Sequence, residues 1–98
     1  MKGLETYTER NNHLIEGLLS ANGNRPYLNG YVNHLKLTKS ELTTYNYLRH
    51  IIDFMNDNGK EVGELKYDDY ISYEGKFINC SSSYKIVKHS ALKAFSEY

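Results

Sequence analysis

Apolar residues recur along this chain three and four positions apart, and polar residues fill the faces between them. No stretch sustains an alternation of period two, so the pattern predicts an all-α fold without a sheet. Five helical segments are expected. The first runs from about Leu4 to Ser20, with Leu4, Tyr7, Asn11, Leu14, Ile15, Leu18 and Leu19 on one stripe. The run Ala21-Asn22-Gly23-Asn24 stops it. The second opens at Pro26, a favourable first-turn residue, and carries Tyr27, Leu28, Tyr31, Val32 and Leu35 on its apolar face.

The third segment is the longest, from Ser40 or Glu41 to Asn58, with Ser40 as its cap and Gly59 as its stop. Tyr45, Leu48, Ile51, Ile52, Phe54 and Met55 form its apolar arc, while Thr43, Asn46, Arg49, His50 and Asp53 share the other side. A short fourth segment runs from Tyr67 to about Phe77. Asp68 and Asp69 sit in its first turn, where negative charge suits the helix dipole, and Tyr70, Ile71 and Tyr73 point inward. The fifth is SSSYKIVKHSALKAFSEY, with one of its three leading serines as cap. Tyr84, Val87, Ala91, Ala94, Phe95 and Tyr98 are expected to face the core. Ser82, Lys85, Lys88, His89, Lys93 and Ser96 are expected to face outward, with Ile86 and Leu92 as exceptions to the split. No Gly, Asn or Pro closes this last helix.

Composition sets limits on these elements. The 98 residues suffice for one domain with a modest core, and ten Tyr and three Phe help to fill it. A single cysteine, Cys80, excludes an intrachain disulfide and fits a reducing compartment. No apolar run approaches the ~18 residues of a membrane span, and no signal peptide is legible. Formal net charge is zero, but the charge is segregated. Lys36, Lys39 and Arg49 precede an acidic stretch that holds Asp53, Asp57, Glu61, Glu64, Asp68, Asp69 and Glu74. Lys76, Lys85, Lys88 and Lys93 follow it.

The pattern of chemistry-bearing residues does not describe an enzyme. The histidines at 13, 34, 50 and 89 fall in different segments, none with a second ligand at metal spacing, so neither metal nor cofactor is expected. There is no phosphate-binding Gly loop and no nucleophile elbow. Two helices do present polar faces suited to nucleic acid. Hydroxyls and amides at a helix N-terminus contact phosphates, and Asn or Lys one turn further reaches base edges. The third helix offers Lys39, Ser40, Thr43 and Asn46; the fifth offers Ser82, Lys85, Lys88, His89 and Lys93. Ordinary solvated faces would carry the same residues.

The run PYLNGYVNHLKLTKSELTTYNYLRHIIDFM resembles the start of the core-binding domain of tyrosine recombinases, the phage integrase family. Its Ser40, Thr43, Tyr47, Ile51 and Phe54 stand at that domain's spacing. ELKYDDYISYEGKF resembles the family's short third helix, through Asp69, Tyr70 and Tyr73. SSSYKIVKHSALKAFSEY resembles its last helix, through Lys88, Ser90, Ala91, Leu92, Lys93, Phe95 and Tyr98. The resemblance implies a small SAM-like bundle of four core helices over residues 25–98, preceded by an N-terminal helix or arm over residues 1–24. It implies that a catalytic domain follows Tyr98 in the parent protein, and that this piece clamps duplex DNA without performing the strand exchange. Ser40, Thr43, Lys39, Lys85 and Lys88 would then contact phosphates, and Asn46, His50, His89 and Lys93 would reach toward bases. Partners would be double-stranded DNA and other recombinase protomers, in the cytoplasm of a bacterium or phage host, close to the nucleoid. The expectation from another class is a helical protein-interaction module that uses Tyr27, Tyr31, Tyr67 and Tyr70.

Overall fold

A computed structural model describes residues 7–98, and among them every regular element is helical. Leu4 lies outside the described residues, as does the side chain of Tyr7. The α-helices are α1 (Tyr7–Ala21), α2 (Pro26–Lys36), α3 (Glu41–Asn58), α4 (Tyr67–Gly75) and α5 (Ser82–Glu97), with one 3-10 turn at Val62–Glu64. The chain forms two compact units that meet in sequence inside α3, the first ending at Leu48 and the second beginning at Arg49.

In the first unit the helix ends follow from local chemistry. Gly23 takes a left-handed φ of 77°, and Asn24 follows it at 48°. The Asn24 amide then donates to Leu19 O (2.8 Å) and the Gly23 amide to Ser20 O (3.2 Å), the paired bonds of a Schellman stop. Pro26 opens α2, where its missing N–H costs nothing. Ser40 caps α3: its Oγ accepts from the Thr43 amide (3.2 Å) while its hydroxyl donates to Thr43 Oγ1 (3.1 Å). Buried side chains here are Asn11, Ile15 and Leu19 of α1, Leu28, Tyr31, Val32 and Leu35 of α2, and Thr44 and Leu48 of α3. The Thr44 hydroxyl is satisfied by Ser40 O at 2.9 Å. Leu14 departs from its expected stripe and is exposed.

In the second unit α3 ends where Gly59, at φ 73°, donates its amide to Met55 O (3.0 Å). Lys66 stands at the α4 N-cap and makes no side-chain cap bond. Asp69 supplies that function from within: its carboxylate accepts from the Lys66 amide (2.8 Å) and pairs with Lys60 (2.8 Å). The bond from Lys60, then the one from Lys66, holds the Asp69 carboxyl below the usual Asp range. α5 is capped by Ser81, whose Oγ accepts from the Tyr84 amide at 3.2 Å. Ile51, Ile52, Phe54 and Met55 of α3 are buried, with Tyr73 of α4 and Ala91, Leu92 and Phe95 of α5. Phe54 stacks on Tyr70 at 4.8 Å and tilts against Tyr73 at 5.1 Å.

Two further expectations about facing are corrected. Ile71 of α4 is exposed. α5 is turned by roughly 60° from the expected stripe, about half a residue's step, so the two lines still share Ala91 and Phe95. Its buried line is Lys88, Ala91, Leu92 and Phe95, whereas Tyr84, Val87 and Tyr98 are exposed. The rotation brings Leu92 inside in place of Val87, and Lys88, one turn earlier on the same line, goes in with it.

The Ser40 cap is a test of the α3 start. Ser40→Ala is expected to lower stability by about 1 kcal/mol, measured by urea denaturation. A loss below about 0.3 kcal/mol would show that the cap contributes nothing beyond ordinary surface scatter.

Candidate nucleic-acid interface and a caged lysine

The expected DNA-facing residues divide between the two units. In the first, Lys39 and Ser40 are exposed, and Thr43 and Asn46 are half-buried on the first half of α3. Ser40 uses its hydroxyl hydrogen on Thr43, so the first two helical amides and the Thr43 hydroxyl hydrogen are the donors left at this end. Glu41 already places a negative charge in the same first turn. An arriving phosphate meets donors and a carboxylate together, which limits the attraction to what Lys39 adds.

In the second unit, Ser82, His89 and Lys93 are exposed and Lys85 is half-buried. Lys85 Nζ donates to Ile78 O at 3.2 Å. His89 Nδ1 lies 2.8 Å from Glu74 Oε1, which ties its imidazole to a carboxylate rather than leaving it for a base. The acids of the middle stretch are partly neutralised as well, since Lys76 Nζ reaches Asp57 at 2.7 Å and Lys60 reaches Asp69.

Lys88 does not face outward. It is 1% exposed, and its ammonium is enclosed by aromatic rings. Nζ lies 4.3 Å from the centroid of Phe77, 4.7 Å from Tyr73 and 5.3 Å from Tyr84, and it donates to Tyr73 Oη at 2.9 Å. The quadrupoles of three rings and one hydroxyl replace water around the charge. No ion pair joins it: among the described residues no carboxylate oxygen comes within 4.0 Å. Burial pushes its pKa down, and the more distant Asp53 and Glu74 oppose that shift. Burial also raises the Tyr73 phenol above its ordinary value, so Tyr73 remains a protonated acceptor. A phosphate contact from Lys88 is therefore withdrawn.

His50 is half-buried beside this cage. Its ring meets Tyr84 edge-on at 5.4 Å, and its Nδ1 is closed off from solvent without a hydrogen-bond partner. Burial first, and the nearby Lys88 charge second, lower its pKa to about 4. It is neutral at physiological pH, and the enclosed Nδ1 cannot read a base. The residues missed by sequence reasoning are the cage members Tyr73, Phe77 and Tyr84. Part of their signal was present: Tyr84 stands four before Lys88, a pair that a helical path stacks on one side, whereas Phe77 lies in the turn beyond α4 and reaches Lys88 through that turn.

No group of three or more His, Cys, Asp or Glu side chains gathers to hold a metal among the described residues, and none of their helices is long and apolar enough to cross a membrane. Compared with known proteins, the chain matches no family model, no curated protein and no solved structure.

Two measurements test this site. Lys88→Met preserves volume and removes a buried charge, so it is expected to keep stability within about 1 kcal/mol or raise it. Lys88→Glu sets an unpaired anion against ring faces and is expected to cost at least 3 kcal/mol, roughly the penalty for an uncompensated buried charge. Urea midpoints close to wild type for both variants would place the ammonium in solvent instead.

The second concerns acid. The His50 pKa is lower folded than unfolded, so between about 4 and 6.5 the unfolded chain binds the extra proton. Stability is full above that window and falls as pH drops through it. Ring-proton chemical shifts should show His50 uncharged at pH 6, and His50→Leu should flatten this part of the stability profile. A His50 midpoint near 6.5 would contradict the burial of its ring nitrogen.

Proposed function

We propose that this chain is the DNA-positioning, core-binding module of a tyrosine recombinase, with strand cleavage and religation carried by a separate catalytic domain of the parent protein. One observation supports the reading above the others. The three runs that carry the resemblance coincide with helices that start where that domain's order requires: Pro26 at the start of α2, Ser40 bonded to Thr43 at the start of α3, and Ser81 capping α5. α4 is short and opens on an acid-rich turn that ends in Asp69 and Tyr70, as the resemblance implies for the third helix.

In this reading Lys39, Ser40 and Thr43 hold phosphates from α3, and Ser82, Lys85 and Lys93 do so from α5. Asn46 is the base-edge candidate, because the Nδ1 of His50 is enclosed away from solvent and His89 is tied to Glu74. With Lys88 withdrawn, few cations remain, and the expected affinity of the isolated chain for duplex DNA is on the order of micromolar or weaker at physiological salt. Duplex DNA and neighbouring recombinase protomers are the partners, and the cytoplasm of a bacterium or phage host is the setting.

One observation favours a second reading, a protein-interaction module. Ile71, Ile78 and Ile86 stand exposed on and around α4 and α5, with Ile78 at 69% and Ile86 at 64%. A concentration-dependent oligomer without salt-sensitive DNA affinity would decide for it.

The discriminating variant reverses two exposed lysines outside the cage, Lys39→Glu with Lys93→Glu. Each phosphate contact contributes ~0.9 to the slope of log affinity against log salt, so the pair is expected to lower affinity at low salt about tenfold and to flatten that slope. Fluorescence anisotropy on a duplex oligonucleotide checks it, with circular dichroism to show an intact fold. Unchanged anisotropy titrations across salt would sink the assigned faces.

A further inference from the structure

The exposed side of α4 and α5 holds two matched rows. Asp68, Ile71 and Gly75 are exposed at the i, i+3 and i+7 positions of α4, and Ile86, His89 and Lys93 are exposed at the same spacing on α5. The two helices run antiparallel, because Tyr73 meets Lys88, Glu74 meets His89, and Phe77, just past α4, meets Tyr84. That register sets Asp68 level with Lys93 and Gly75 level with Ile86.

One end of this face is charged and the other is apolar. At the charged end stand Asp68 and Lys93, opposite in sign, and among the described residues neither side chain forms a hydrogen bond or an ion pair. At the apolar end a groove of about 310 Å3 is walled by Ile71, Phe77 and Ile78. Gly75 leaves it open, since a Cβ added there meets nothing within 4 Å. Level with that opening, Ile86 projects at 64% exposure. Between the two ends Glu74 and His89 engage each other at 2.8 Å, so the middle of the face asks for no outside charge.

We propose that this face pairs with a second copy of the chain about a two-fold axis parallel to the helices. Such an axis lays α4 of one copy antiparallel on α5 of the other and repeats the contact with the copies exchanged. The register is kept, so Ile86 of each copy enters the groove of the other at Gly75, and Asp68 of each meets Lys93 of the other. The face is complementary to itself in shape and in charge, which selects a second copy over a partner of one sign. A formal net charge of zero sets no long-range repulsion against that pairing. The inference rests on the protein-interaction reading and names its partner.

Two helices make a small interface, so the expected dimer is weak, with Kd on the order of 100 μM. Sedimentation velocity over concentrations that bracket this value should show a monomer–dimer equilibrium that stops at the dimer, because a two-fold contact closes. Ile86→Asp is expected to abolish association, and so is Gly75→Phe, which fills the groove. Asp68→Lys and Lys93→Asp are each expected to weaken it about tenfold, since each reversal acts at two symmetric contacts. The double variant Asp68→Lys with Lys93→Asp is expected to recover the wild-type Kd to within about twofold. All four positions are exposed, and circular dichroism checks the fold of each variant. No DNA enters the test, so its failure leaves the DNA reading untouched. Association that survives Ile86→Asp would keep the protein-interaction reading and overturn this inference. A monomer at every concentration, growth beyond the dimer, or a double variant no tighter than the single ones would overturn it as well.

Discussion

The second unit is organised around one expensive act, the removal of an ammonium from water. Left alone, a charge in an apolar medium would cost far more than a small domain can offset. Lys88 avoids most of that cost by lying against three rings and bonding to Tyr73 Oη. Several positions are then constrained together. α4 must present Tyr73, the turn after it must bring Phe77 round, and α5 must begin early enough to place Tyr84 one turn before Lys88. The turn is built accordingly, with the amides of Lys76 and Phe77 donating back to Tyr73 and Glu74. His50 shares the consequence. A neutral, partly enclosed imidazole is what can sit beside a caged cation, and its lowered pKa follows from that neighbour as well as from burial.

How much of this was legible in the sequence depends on whether a signal is local. Caps and stops depend on a few adjacent residues, so Gly23, Pro26, Ser40 and Gly59 marked helix boundaries that the structure keeps. The α3 arc was legible because Leu48, Ile51, Ile52, Phe54 and Met55 offer no competing stripe. α5 does offer one. Tyr84, Val87, Ala91, Ala94, Phe95 and Tyr98 form a continuous apolar line, whereas the buried line includes a lysine. A rule that sorts lysines outward selects the first line. The structure takes the second, because Leu92 fills more space than Val87 and because aromatic residues from α4 and the turn after it are in place to receive Lys88. That compensation is tertiary, and no window on α5 alone contains it.

The same rotation reshapes the candidate DNA surface. Lys88 and His50 leave it, and His89 is tied to Glu74, so α5 offers Ser82, Lys85 and Lys93 to a phosphate backbone. On the proposed reading those would be positioning groups, which fix register and give salt-dependent affinity while carrying little sequence information. Asn46 on α3 is the remaining side chain with paired donor and acceptor groups suited to a base edge. If the proposed reading holds, such a module would orient DNA for chemistry done elsewhere more readily than it would select a site.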